Sequence, residues 1–363
     1  MRYFQKNMKI TMCKRCVNDS TVKNINFDEK GICNYCHSYD KIKERITDYE
    51  KLEKNFQKRL DKEKGRHKYD AAVGFSGGKD STYVLYQLVK KYNLKVYAYT
   101  LDNGFLSMEA RNKIDRIVKE LNVKHEYITF DQELLKRVYR YTLSKFLSPC
   151  IACSYLGYAT MINITTAVDA AVGVHGRSRP QMLRMYDDVH DDTFKPFIEM
   201  GLKDVDEADF KKTYEDSLEK INKHIDKKIS SYIEKELLKD AKEKGYRDFI
   251  AYFLYHPYDK GEIISFISEN TSWRIEDEEE HFDCMIHNAA TYIKNITARR
   301  LHIMPELSVM IRENTMTKEE AIKLLNTPNI EKPTAELKLL CNFTKLSERT
   351  LLLKAAIYAK RWW

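Results

Sequence analysis

The sequence predicts an α/β fold: a parallel, Rossmann-like sheet with an N-terminal zinc knob in front and a helical C-terminal region behind. Three observations predict it. Short apolar runs alternate with amphipathic segments from residue 69 to residue 174. The loop Ser76-Gly77-Gly78-Lys79-Asp80-Ser81 closes the first run and opens a helix. Two Cys-x-x-Cys pairs, Cys13/Cys16 and Cys33/Cys36, stand ahead of all of this.

Taken in order, residues 11–37 form the Cys-rich knob. Residues 38–68, dense in Lys and Glu, read as one helix leading into the main domain. Tyr69 to Phe75 is a strand and Ser81 to Tyr92 a helix. Lys95 to Leu101 is a strand and Met108 to Leu121 a helix. Lys124 to Thr129 is a strand, and Asp131 to Phe146 is a helix with Asp131 near its cap. A helix over about 154–166 leads to the strand Ala170 to Val174. Such alternation argues for βαβ units and a parallel sheet. Residues 206–245, charged and without glycine before Gly245, read as a solvated helical insertion, and from 246 the pattern is mostly helical. The expected division is 1–68, 69–200 and 201–363.

The chain has 363 residues, 43% of them hydrophobic, enough for a substantial core. Charged residues at 32% argue against overall disorder. The net charge of +8 suits an anionic substrate such as a nucleotide. No stretch approaches the ~20 apolar residues that span a bilayer. The start, Met1 to Lys6, lacks a signal-peptide core. A cytoplasmic location follows as the expectation, and there Cys-x-x-Cys pairs serve metal or redox chemistry more often than disulfides.

In the Ser76–Ser81 loop, Gly77 and Gly78 let the backbone approach an anion, and the helix start aims N–H groups at it. Ser76 and Ser81 can add hydroxyl donors, with Lys79 beside them. Asp80 suits Mg²⁺ binding or loop ordering. The spacing is not that of a Walker A loop. It is identified with the PP-loop of the adenine nucleotide α-hydrolase superfamily, a Rossmann-like (HUP-type) fold. That resemblance implies an ATP pyrophosphatase whose loop holds the β,γ-pyrophosphate while the α-phosphate is attacked. Asp102, in Asp102-Asn103-Gly104 at the end of the second strand, falls where ligands sit in open parallel sheets. A plain turn is the other reading of it.

Cys13, Cys16, Cys33 and Cys36 form C-x2-C-x16-C-x2-C, a spacing that suits a closed tetrahedral Zn²⁺ site. The knob, with Phe27-Asp28-Glu29-Lys30-Gly31, resembles the opening of the N-acetyl sugar amidotransferases. Ile311-Arg312-Glu313-Asn314-Thr315-Met316-Thr317-Lys318-Glu319-Glu320-Ala321 resembles their later sequence. Those enzymes use ammonia to make an acetamidino group, which implies a glutaminase partner.

A further pair, Cys150 and Cys153, departs from that pattern. It is similar to the Cys-x-x-Cys of PP-loop enzymes that place sulfur in tRNA bases. In several of those a third, distant cysteine completes the ligands of a 4Fe–4S cluster. Cys284, in a polar segment, is the third ligand this resemblance implies here, rather than Cys341 in its apolar Leu339-Leu340-Cys341 setting. A persulfide relay, a structural Zn pair and plain packing are the other readings.

The loop after the fourth strand, His175-Gly176-Arg177-Ser178-Arg179-Pro180-Gln181, offers His175, Gly176 and Arg177 to the nucleotide. Arg177 and Arg179 are expected to clamp phosphates, with Ser178 and Gln181 positioning substrate. Arg299, Arg300 and Arg312 are further basic candidates. The expected function is ATP-dependent sulfur transfer to an adenylated carbonyl, with Cys150, Cys153, Cys284 and Asp80 carrying the chemistry. Its cofactors are ATP, Mg²⁺, Zn²⁺ and a 4Fe–4S cluster. The expected partners are a small-molecule substrate ahead of tRNA and a sulfide donor, with no membrane and a homodimer allowed. The alternative is sugar amidotransfer with a glutaminase subunit.

Overall fold

The computed structural model describes residues 10–187, 211–216, 218–219, 225–274, 283–298, 302–326 and 331–362. Its centre is a five-stranded, all-parallel sheet in the order β3-β2-β1-β4-β5, with β1 Tyr69–Gly74, β2 Val96–Leu101, β3 Lys124–Ile128, β4 Ala170–His175 and β5 Asp248–Ala251. Both faces are covered, as parallel sheets require. Ala71, Val73, Val96, Ala98, Val172 and Val174 enter one core, while Tyr97 and Tyr99 point to the other side.

The helices are α1 Asn34–Thr47, α2 Tyr49–Asp61, α3 Lys79–Tyr86, α4 Met108–Glu120, α5 Gln132–Phe146, α6 Cys150–Ala167 and α7 Arg179–Asp187, with further helices from Lys227 onward. A π-turn, Gln87–Lys91, continues α3. Residues expected as one helix over 38–68 form two. Asp48 leaves the helical region and its side chain accepts a hydrogen bond from Lys51 N, capping α2. β5 was not expected. It is only four residues long, and it runs straight into the helix Tyr252–Tyr255, so its period never develops.

α6 begins four residues ahead of the expected start, which puts Cys150 and Cys153 on its first turn. This helix is apolar on every side because it lies between the sheet and a second core. Leu156 and Ile162 of α6 meet Leu134 and Leu143 of α5 there, along with Ile229, Ile293, Leu340 and Leu351 from the C-terminal helices.

The knob packs onto the C-terminal region. Val17, fully buried, joins Met304, Leu307, Ala321 and Leu325. Each large side chain buried this way contributes about 1.5–3 kcal/mol. Ser308 Oγ donates to Asn18 Oδ1 at 2.9 Å, and Lys318 Nζ donates to the carbonyls of Cys13 and Lys14. No helix among the described residues is long and apolar enough to cross a membrane.

Candidate functional site

β1 lies between β2 and β4, and the chain departs to opposite sides of the sheet from these neighbours. That reversal opens a crevice at the carboxyl ends of β1 and β4, where ligands bind in such sheets. The Ser76–Ser81 loop fills its rim. Gly77 has φ +76°, and a Cβ there would stand 2.9 Å from Ile114 Cγ1, so glycine is required on both counts. Ser76 N donates to Ser81 Oγ at 3.3 Å, the two hydroxyls are 3.2 Å apart, and Ser81 Oγ donates to Gly78 O. Gly78 caps α3, whose first-turn N–H groups open toward the crevice. Lys79 Nζ and Asp80 Oδ2 pair at 3.4 Å.

The loop after β4 closes the other side. A Cβ on Gly176 would lie 3.0 Å from Asp80 O, so glycine lets the two loops touch. His175 is half-buried and its Nδ1 accepts from Arg177 N at 3.2 Å. Burial, aided by Arg177, pushes its pKa down to about 3, so the ring is neutral. Arg177 is exposed. Tyr258, which the sequence did not single out, stands against the Asp80 carboxylate. Burial and then that carboxylate raise its phenol, which stays protonated as a donor.

Arg179 and Arg312 do not face the crevice. Arg179 is 2% exposed and is paired with Glu313, with carbonyls of Ile46, Phe253 and Leu254 around the guanidinium. Arg312 is equally buried, with Nη2 3.9 Å from Cys16 Sγ. Of the two expected phosphate clamps, Arg179 is therefore an interior group whose guanidinium faces Glu313 and backbone carbonyls, while Arg177 stays exposed; Arg312, a further basic candidate, is interior too. Arg299 and Arg300 lie outside the described residues.

The knob cysteines converge. Among the described residues only Cys13, Cys16, Cys33 and Cys36 bring three or more ligand atoms within 4.8 Å of one another. Cys13 and Cys36 sulfurs are 4.0 Å apart, and those of Cys16 and Cys33 3.7 Å. A tetrahedron with Zn–S bonds of about 2.3 Å has edges of about 3.8 Å. The four thiols thus already approach the shape of a closed tetrahedral metal site.

The second cysteine group gathers at the carboxyl end of β2. The turn Asp102-Asn103-Gly104-Phe105 folds on its own side chains: Asp102 Oδ1 accepts from Gly104 N at 3.0 Å and Asn103 Oδ1 from Phe105 N at 2.9 Å. Asp102 also pairs with Arg111 of α4. Beyond the turn, Leu106 forms an antiparallel bridge with Cys284, secured by Met285 N donating to Phe105 O at 2.9 Å.

The Asn103 amide consequently reaches both sulfurs, Cys153 Sγ at 3.5 Å and Cys284 Sγ at 3.9 Å. The Tyr139 hydroxyl lies 2.9 Å from Cys153 Sγ and 3.1 Å from the Asn103 carbonyl. Cys150, one turn ahead of Cys153 on α6, acts electrostatically on both Tyr139 and Cys153. Burial raises the Cys153 thiol and pushes Cys284 up to about 12. Cys341 is buried within the second core, against which Cys153 and Cys284 also pack. Asn103 and Tyr139 were not read from the sequence as part of this group. Asn103 gave a signal as a strand-end Asn-Gly, whereas Tyr139 looks like any core position of a helix.

A family model described as queuosine biosynthesis protein QueC matches residues 70–146. An uncharacterized protein of Methanocaldococcus jannaschii is 31% identical over 176 residues, 46% of this chain. The match spans 59% of that relative's length. Among solved structures the chain is similar to the U34-tRNA thiolase NcsA from Methanococcus maripaludis with its 4Fe–4S cluster, at 15% identity and TM-score 0.37 over 89% of this chain and 91% of that one. It is also similar to the NH3-dependent NAD synthetase from Campylobacter jejuni, at 16% identity and TM-score 0.30 over 56% of this chain and 100% of that one.

Proposed function

We infer that this chain, a PP-loop ATP pyrophosphatase across residues 70–146, adenylates a carbonyl or amide oxygen of its substrate and replaces that oxygen with sulfur. One observation carries the reading. Cys153 and Cys284, 131 positions apart in sequence, share a single amide, Asn103 Nδ2, at the end of the strand next to the ATP loop.

The substrate oxygen attacks the α-phosphorus of ATP, the bond to the β-phosphate oxygen breaks, and pyrophosphate leaves. The oxygen, now part of an adenylate, is a good leaving group. Hydrosulfide adds at the carbon, and the C–O bond breaks to release AMP with that oxygen. The sequence is redox-neutral, so hydrosulfide needs no reductant. Gly77, Gly78 and the start of α3 hold the pyrophosphate end, with Ser76, Ser81 and Lys79 as donors. Asp80 would hold Mg²⁺, and Tyr258 would orient its carboxylate. Neutral His175 and exposed Arg177 would flank the nucleotide, as would Asp102, oriented by Arg111.

Cys150, Cys153 and Cys284 fit the donor set of a 4Fe–4S cluster better than that of one ion. Their sulfurs do not close to within 4.8 Å of one another as the knob cysteines do. A cubane distributes its thiolates over separate irons, which keeps them further apart. With three protein ligands, such a cluster supplies one open iron for a sulfur nucleophile. The knob thiols would hold a structural Zn²⁺, since four ligands leave no open position.

Iron and sulfide analysis of anaerobically purified or reconstituted protein tests this. We expect about four of each per chain, lost in Cys150→Ala, Cys153→Ala and Cys284→Ala and kept in Cys341→Ala. Protein without iron that forms AMP and pyrophosphate with ammonium as nucleophile, in all three variants, would establish the amidotransfer reading instead.

A further inference from the structure

We propose that Asn103 and Tyr139 are the positioning residues of the sulfur site: their donors hold Cys153 and Cys284 in ligand geometry and set the reduction potential of what those sulfurs bind. The proposal rests on the sulfur-transfer reading and gives Asn103 and Tyr139 a role that the reading itself leaves open.

Asn103 has two jobs divided between its two side-chain atoms. Its Oδ1 accepts from Phe105 N at 2.9 Å and so fixes the turn. Its Nδ2 faces the sulfurs of Cys153 and Cys284. A primary amide has two N–H donors, one for each sulfur. The turn, the bridge Leu106–Cys284 and the first turn of α6 are thus joined at one nitrogen.

Tyr139 is fully buried on α5 and has one proton with two acceptors in reach. While Cys153 is a thiol, its S–H can donate to the phenol oxygen, and the phenol donates to the Asn103 carbonyl. As a thiolate ligand Cys153 has no proton to give and only accepts. The phenol O–H then turns to the sulfur. A packing role alone would need only the ring, which already meets Phe105 and Phe343 edge-on at 5.2 and 5.9 Å.

Donors to ligand sulfurs raise a cluster's potential and hold ligand orientation. Tyr139→Phe keeps the ring and removes the donor. Asn103→Asp keeps the oxygen that caps Phe105 N but replaces the two-sulfur donor with a second oxygen. Tyr141→Phe, on the same helix, is the control.

The experiment measures iron per chain, thermal midpoint and the mediated reduction potential by EPR, on anaerobically reconstituted full-length protein. Tyr139→Phe should keep its iron and midpoint while its potential moves negative relative to wild type and Tyr141→Phe. Asn103→Asp should hold iron about 10–100-fold more weakly. A wild type that binds no iron sinks the sulfur-site reading and this proposal with it. An iron-loaded wild type beside a Tyr139→Phe of unchanged potential and a fully loaded Asn103→Asp overturns this proposal alone.

Discussion

Arg179 and Glu313, 134 positions apart, form a buried ion pair that ties the loop after β4 to the C-terminal region. The Tyr39 hydroxyl of α1 donates to the same carboxylate at 2.6 Å, and Arg179 Nη2 donates to Ile46 O. Arg312, next to Glu313, reaches Cys16 of the knob. Two adjacent residues therefore connect the knob to the loop that carries His175 and Gly176, and Gly176 abuts Asp80 in the ATP loop.

Breaking this pair from one side leaves a buried charge without its partner. Glu313→Gln or Arg179→Met should cost about 3–5 kcal/mol in urea unfolding. The double variant Arg179→Met/Glu313→Leu should recover a large part of that, because neither charge is then stranded. Single variants within about 0.5 kcal/mol of wild type would show that the pair does not matter to stability.

Gly77→Ala meets two penalties at once, a left-handed backbone and a Cβ 2.9 Å from Ile114. The backbone alone costs roughly 1–2 kcal/mol. We expect weaker ATP binding by calorimetry and a lower thermal midpoint. Ile114→Ala in the same chain should relieve the contact but not the backbone term. Ser76→Ala and Asp80→Ala should fold normally and lose AMP and pyrophosphate release. ADP and phosphate as wild-type products would contradict the whole loop assignment.

The knob should carry about one Zn²⁺ per chain with Zn–S bonds of about 2.3 Å by X-ray absorption. Cys33→Ser should lower stability more than it lowers nucleotide affinity at low temperature, since the metal's binding energy is folding energy. Because Lys318 and Arg312 also touch the knob, proteolysis should open the segment 304–326 first in the metal-free protein. Protein never exposed to chelator that contains no metal here would refute the site.

His175 gives a pH prediction. Its folded-state pKa is about 3, below the ordinary 6.5, because burial disfavours the charged ring. Above pH 6.5 both folded and unfolded chains hold it neutral and it has no effect. As pH falls from 6.5 toward 3, only the unfolded chain takes up the proton, so stability declines. His175→Gln should flatten this acid limb in thermal midpoints measured from pH 7 to 4. A His175 ring that titrates near 6.5 by NMR would refute it.

What the sequence determined is local. The strands β1 to β4, the turn at Asp102-Asn103-Gly104 and the Ser76–Ser81 loop follow from side-chain period and from glycines where the backbone must turn or come close. The knob follows from two pairs whose spacing alone lets four sulfurs meet. What the tertiary structure decided is which distant groups share a site. The polar setting of Cys284 marked it ahead of Cys341 in the sequence, but it comes near Cys153 because a backbone bridge to Leu106 carries it there, and no spacing of 131 residues encodes that path. Arg179 read as a phosphate clamp and Arg312 as a further basic candidate in the sequence, since any arginine offers the same fork of donors. The fold buries both and gives them Glu313, carbonyls and a thiol, and burial cannot be read from a side chain's identity. β5 escaped for the same reason, as four residues become a strand only when β4 lies beside them.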